Sequence, residues 1–244
     1  DRSPSRGLGD VYKRQVLYYA MSVWGGEQTC GIGVATANSP QGPFTDHGKM
    51  FRSNEIGVQN SIDPSLLQYE GRNYLVWGSF RGIYVIELTA DGLSIMSGAK
   101  KKRIAGTAFE AVYIHKHGDY YYMFASIGSC CQGVKSTYKV VVGRSKKVWG
   151  PYKDKTGKPM LKNGYSLVIG ANDHFVGNGH GSQIIQDDAG QDWLLYHGFS
   201  RSTPENGRIL LLDQIKWDQE GWPYVEGGSP SYDCLLYTSP SPRD

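Results

Sequence analysis

Short runs of alternating aromatic and β-branched residues, broken by polar turns, recur along the chain. Four share one plan, an aromatic-rich run ending in a small residue: 16–22 (VLYYAMS), 73–79 (NYLVWGS), 120–126 (YYYMFAS) and 192–198 (DWLLYHG). Alternation of this kind predicts half-buried strands. Three of the four follow an apolar strand and a polar hairpin turn, in SLLQYEGR, VYIHKHGD and QIIQDDAGQ. A second pair, 31–44 (GIGVATANSPQGPF) and 140–152 (VVVGRSKKVWGPY), places a strand before a Gly-Pro-aromatic turn, and 83–88 (IYVIEL) and 209–215 (ILLLDQI) supply further strands. Units of strand, hairpin, strand and strand, each of roughly 40–50 residues or more, predict propeller blades. A β-sandwich is the alternative. Either way the chain is expected to be all-β.

One register separates the two architectures. Ser79 lies 16 residues after Asp63, and Ser126 lies 16 residues after Glu110. Two acids thus hold one place in successive units, at the start of the first strand. In a propeller those strands line the axis, so both carboxylates would face one funnel. The same register in the last unit falls on Ser182, with His180 two residues earlier and expected on the same strand face. A carboxylate pair facing one pocket suits glycoside hydrolysis. Glu110 sits among apolar neighbours (TAFEAV), the better setting for a protonated acid, and Asp63 precedes a proline (NSIDPS). His180 stands between glycines that permit close backbone approach. Asp187, Asp188, Asp218 and Glu220 read as hairpin-turn residues. No phosphate loop, dinucleotide fingerprint, HExxH or GxSxG is present.

Composition narrows the class. Of 244 residues 39% are hydrophobic and 12% aromatic, with 17 Tyr and 6 Trp, which excludes a disordered chain. No apolar run approaches the roughly 18 residues a membrane span needs. The formal charge is +3, and the two ends change its meaning. Residues 5–15 read SRGLGDVYKRQ. One permitted coding of that stretch, read on the opposite strand, gives CLLYTSPSPR and the start of an Asp codon, which is 234–244. The ends therefore resemble the two strands of one transposon-type sequencing adapter. The expected division is 1–15 and 234–244 as adapter-derived ends and 16–233 as native. Removing the ends leaves a net charge of about +1, which points away from nucleic acid and anionic membranes. The run Lys100–Arg103 is expected to be a solvated hairpin. Cys30, Cys130 and Cys131 form neither a disulfide framework nor a metal motif, and the adjacent pair is expected to be reduced and partly buried, with a strained vicinal pair as the alternative.

The stretches 60–80 (NSIDPSLLQYEGRNYLVWGSF), 107–126 (TAFEAVYIHKHGDYYYMFAS), 128–152 (GSCCQGVKSTYKVVVGRSKKVWGPY), 175–184 (FVGNGHGSQI) and 217–228 (WDQEGWPYVEGG) resemble glycoside hydrolase family 43, within it the endo-α-1,5-L-arabinanase-like members. The resemblance implies a five-bladed β-propeller with inverting chemistry, of which about three and a half blades are expected here. It implies Glu110 as general acid and Asp63 as the residue that tunes the acid and orients substrate. The general-base Asp of a first blade is not matched in this sequence, so the chain itself is expected to be inactive. Trp24, Ser79 and Phe80 match positions near sugar subsites. His180 matches an axial metal site, with calcium as the implied cofactor. Gly181 stands where the family commonly has Asn, and Gln214 where arabinanases commonly have Arg.

The expected partner is an arabinose-containing polysaccharide or oligosaccharide, and the family places such enzymes outside the cell or in the periplasm. Two alternatives stay open. One is an exo-acting α-L-arabinofuranosidase or β-xylosidase; the other is a non-catalytic sugar-binding propeller. Both acids standing in register favour the enzyme.

Overall fold

A computed structural model describes residues 14–23 and 25–232. Its sixteen strands are β1 (Gln15–Met21), β2 (Gly31–Ala37), β3 (Thr45–Arg52), β4 (Ser65–Tyr69), β5 (Arg72–Trp77), β6 (Ile83–Glu87), β7 (Lys102–Ala105), β8 (Glu110–His117), β9 (Tyr120–Ile127), β10 (Lys139–Ser145), β11 (Ser166–Ile169), β12 (Phe175–Gly179), β13 (Ile185–Gln186), β14 (Asp192–Ser200), β15 (Arg208–Trp217) and β16 (Pro223–Tyr224). The described chain is all-β apart from short helical turns. Most of the adapter-like ends lie outside the described residues, although β1 begins at Gln15, the last residue of the segment read as adapter-derived.

Four antiparallel sheets follow one another along the chain, in the orders β1-β2-β3, β4-β5-β6-β7, β8-β9-β10-β11 and β12-β14-β15-β16, with β13 paired to β14. Neighbours in sequence are neighbours in the first three sheets, as the hairpin-turn signals require, whereas in the fourth β12 and β13 both pair with β14. Each of the four aromatic runs becomes a strand, β1, β5, β9 or β14. The two Gly-Pro turns are alike as well: Gly42-Pro43 and Gly150-Pro151 are both cis, each after a glycine in the left-handed region. Asp187 and Asp218 accept turn N–H groups, as expected of hairpin residues. Lys102 and Arg103 open β7 with exposed side chains.

The described chain divides into two compact units, one within 14–125 and 143–165, the other within 126–142 and 166–232. The first unit packs a core of Ile32, Phe51, Val58, Leu75, Trp77, Ile86 and Leu88. Its strand β2, GIGVATA, is buried almost throughout, and small residues there leave no polar face. The second unit buries Leu194, Tyr196, Ile215, Trp222 and Val225. Two polar side chains in this unit are satisfied internally: Tyr196 donates to Asp213, and the Trp217 indole donates to Asp192 at 2.8 Å.

Candidate active site

In the first unit, the segment after β3 closes a short helical turn at Ser53–Ile56 and then presents Asp63 ahead of β4. Hydrogen bonds fix this segment from several sides. The N–H of Ser61 reaches Ser53 Oγ at 3.0 Å, and the Ser61 hydroxyl donates to the Val58 carbonyl at 2.8 Å and accepts from the Trp77 indole at 3.0 Å. Asn60 Nδ2 donates to the carbonyl of Ser79 at 3.0 Å. Gly78 N–H donates to the Ile62 carbonyl at 2.9 Å. The end of β5 and the Asp63 segment are thereby one fixture.

Glu110 opens β8 and is 8% exposed. The Ser79 hydroxyl donates to Glu110 Oε2 at 2.7 Å, a bond that can reach an anionic carboxylate or one that carries its proton on the other oxygen. Asp63 Oδ2 accepts the N–H of Ala111 at 3.1 Å, so its carboxylate lies against the residue after Glu110. The fold sets Asp63, one of the two acids matched in register, against the backbone next to the other, Glu110. Ser79, expected at a sugar subsite, is buried and spends its hydroxyl on Glu110. Half-buried Phe80 follows it, its N–H bonded to the Phe109 carbonyl at 2.9 Å. Arg81 forms a bidentate pair with Glu27, at 2.8 and 2.7 Å, which ties down the loop after β1. Trp24, in that loop, lies outside the described residues.

Backbone strain gathers at this site. Asp63 (φ 56°), Phe80 (φ 51°), Ala111 (φ 51°) and Asn60 (φ 53°) all lie in the left-handed region. Such a conformation costs a non-glycine residue roughly 1–3 kcal/mol and persists only where surroundings impose it. At Ala111 the carboxylate of Asp63 supplies part of that imposition. The turn at Ala111 breaks the strand alternation, and the four residues 110–113 are all buried.

In the second unit His180 also has a positive φ, 54°, and its N–H donates to Ser126 Oγ at 2.8 Å. One expectation fails here. His180 and Ser182 do not share a strand face, because β12 ends at Gly179 and both residues belong to the connection to β13. The left-handed turn at His180 diverts the chain, and beyond it the Ser182 N–H bonds the Leu195 carbonyl of β14 at 2.7 Å. The glycine before His180 is needed for close approach: a Cβ at Gly179 would stand 2.2 Å from the Tyr138 ring.

His180 is the outer member of a ring stack. Its ring lies 6.2 Å from that of His197, which lies 5.7 Å from that of Tyr138, both near-parallel. Both ring nitrogens of His197 are buried without a hydrogen-bond partner. Burial, with help from the Arg208 and His180 charges, holds the His197 imidazole down to about 4, so it is neutral. A signal for it exists in the repeated run, whose sixth place is Met21, Gly78 and Ala125 in the other units and His197 here.

Calcium prefers six to eight oxygen ligands. The described side chains offer it one imidazole at His180 and no carboxylate cluster, so an ion there would take its oxygens from water. The thiol expectation for Cys130 and Cys131 is overturned, because the two are joined as a vicinal disulfide. Their adjacency leaves the sulfurs within bonding reach, and the loop that carries them is held at both ends by backbone bonds. Cys30 is a buried free thiol against Ser53 Oγ.

These features define a carbohydrate-active hydrolase: blade-like sheets, a buried acid held by a serine, and a second carboxylate against its backbone. Residues 9–223 match the model of glycosyl hydrolases family 43, and the chain belongs to that family as an arabinanase-like member. It is 38% identical over 242 residues to the extracellular exo-α-(1→5)-L-arabinofuranosidase of Cellvibrio japonicus, covering 89% of this chain and 69% of that one. To the extracellular endo-α-(1→5)-L-arabinanase 1 of Bacillus subtilis it is 36% identical, covering 85% of this chain and 64% of the relative. The solved structure of Cellvibrio cellulosa α-L-arabinanase complexed with arabinohexaose superposes with a TM-score of 0.80 at 34% identity, over 88% of this chain and 74% of that one.

Proposed function

We propose that the protein hydrolyses α-1,5-linked arabinan with inversion. Glu110 is the general acid that gives its proton to the leaving glycosidic oxygen. Asp63 is the second carboxylate, which tunes that acid and orients the sugar. Inversion requires a water delivered from the opposite face by a base; neither of these two acids is assigned that task. The observation that carries the reading is the buried Glu110, bonded by Ser79 and flanked by Asp63 through the Ala111 N–H. We also propose that the four sheets belong to a five-bladed ring, that the protein acts outside the cell as its two relatives are named, and that a water-clad calcium ion sits beside His180. Among the described residues no helix is long and apolar enough to cross a membrane.

Glu110→Gln in the natural gene product tests the central assignment. Turnover of linear arabinan should fall by at least ~10²-fold while arabino-oligosaccharide binding persists. Unchanged turnover would overturn it. Metal analysis of the same protein should find one calcium, lost in His180→Ala. Exo action is a second reading, favoured by the exo-acting relative at 38% identity. Product analysis separates the two, since endo cleavage yields a ladder of oligosaccharides and exo cleavage one short product.

A further inference from the structure

Arg81 is a fixed charge that the chemistry above does not use. It lies on the turn between β5 and β6, one residue after Phe80 and two after Ser79, the serine that bonds Glu110. This turn is closed tightly, since a Cβ at Gly78 would stand 2.3 Å from the Gly82 carbonyl oxygen. Its backbone is bonded toward the acids. Gly78 N–H donates to the Ile62 carbonyl and Phe80 N–H to the Phe109 carbonyl, both at 2.9 Å, and the Ser79 carbonyl accepts from Asn60 Nδ2 at 3.0 Å. The Arg81 side chain folds back over the turn. Its Nη1 donates to the Phe80 carbonyl at 3.0 Å, while Nε and Nη2 donate to the two carboxylate oxygens of Glu27 at 2.8 and 2.7 Å.

Stability does not account for this pair. The Arg81 and Glu27 side chains are 43% and 37% exposed, and an ion pair in that setting contributes little. The loop that carries Glu27 is also held by its backbone. Gly26 N–H bonds the Val23 carbonyl at 2.7 Å and Cys30 N–H the Gly26 carbonyl at 3.0 Å, and the carbonyls of Glu27 and Gln28 accept from the N–H groups of Asn60 and Asn54 at 2.8 and 3.1 Å. What the pair accomplishes is to aim the cation. Three of the five guanidinium N–H groups are engaged, and among the described residues one on Nη1 and one on Nη2 have no acceptor. A planar fork with two spare donors, its rotamers already fixed and its charge balanced by Glu27, suits neighbouring hydroxyls of a neutral sugar better than an anion.

We propose that Arg81 is a sugar-binding residue beside the acids, donating its two spare N–H groups to neighbouring hydroxyls of one arabinofuranosyl residue, with Glu27 as the positioning residue that aims it. The inference rests on the arabinan reading for its ligand. The test uses the natural gene product and measures arabinohexaose turnover, with arabinohexaose affinity by calorimetry in the Glu110→Gln background. Arg81→Ala should raise KM and the dissociation constant about tenfold and leave kcat within about twofold. Arg81→Lys keeps the charge without the fork and should lose nearly as much. Glu27→Ala leaves the guanidinium present but unaimed; it should cost only about threefold, and nothing further on top of Arg81→Ala. Thermal stability should be unchanged throughout. Unchanged affinity in Arg81→Ala overturns the proposal. Full rescue by Arg81→Lys, or a Glu27→Ala loss as large as that of Arg81→Ala, also overturns it, since either makes the pair a tie between two loops. So does a fall in kcat at constant KM, or weaker binding that comes with lowered thermal stability. In each of these outcomes the unsubstituted protein still turns over arabinohexaose and the arabinan reading stands. An unsubstituted protein that neither binds nor cleaves arabinohexaose removes that reading and this inference with it.

Discussion

Trp77 and Ser61 offer the sharpest test of how the fold holds its acids. Trp77 is completely buried, and its ring lies 5.3 Å from that of Phe51 and 5.9 Å from that of Tyr84. Its indole N–H donates to Ser61 Oγ at 3.0 Å, two residues before Asp63, while Ser79 follows two residues after Trp77. Trp77→Phe removes that donor and about half of the ring. The lost hydrogen bond is worth ~0.5–1.5 kcal/mol. Complete truncation of a buried Trp costs ~3–5 kcal/mol, so the smaller cut with its cavity, bond included, should cost about 2–3 kcal/mol. In a chain of this size that is a fall in Tm of ~4–12 °C. Ser61→Ala breaks the same bond from the other side. A double-mutant cycle read by urea unfolding and circular dichroism should give a coupling of ~0.5–1.5 kcal/mol. Trp77→Phe should also weaken arabino-oligosaccharide binding, because Asp63 loses its brace. Single effects that add to within ~0.3 kcal/mol would refute the claim that this bond ties the two segments together.

Other outcomes follow from the same geometry. Asp63→Ala leaves the Ala111 N–H without its acceptor and puts a β-carbon with no polar side chain at a left-handed φ, so it should destabilise by about 2–3 kcal/mol in urea unfolding; Asp63→Asn, which keeps an acceptor oxygen, should lose far less stability. His197 is neutral in the fold to about pH 4 but takes a proton near 6.5 once unfolded. Its contribution to stability is therefore present above pH 6.5 and lost as pH falls toward 4. Full linkage would be about 3 kcal/mol, and solvent screening at this partly exposed ring reduces it to ~1–2 kcal/mol. His197→Phe should flatten that part of the Tm–pH curve, and an unchanged slope would show that the imidazole is not the group responsible. Ser79→Ala should lower arabinan turnover by about tenfold with little change in substrate affinity, since it removes the donor to Glu110 without touching the sugar; an unchanged rate would sink that role.

The strands, their hairpins and the two matched acids were legible along the chain because each is written in local terms. Alternation with a period of two, turn residues, and a fixed interval from acid to serine need no knowledge of distant contacts. The repeat even carried chemistry: Ser79 and Ser126, landmarks on paper, became the hydroxyls that hold Glu110 and the His180 backbone. Other features depended on packing. Asp63, Ala111 and His180 sit at positive φ, a conformation rare for any of them although Asp and His adopt it more readily than Ala, and distant partners hold two of the three: a carboxylate 48 residues away at Ala111 and a serine 54 residues away at His180. For that reason His180 left the strand the register had assigned it. His197 lost its hydrogen bonds and its proton to burial between two rings, an environment that 192–198 read alone cannot supply. The sulfurs of Cys130 and Cys131 had adjacency in the sequence, but only the loop conformation brought them into one bond. Local pattern sets which residues form strands; which backbone is strained and which side chain is desolvated depend on contacts between residues far apart in the chain, and only the tertiary structure decided those.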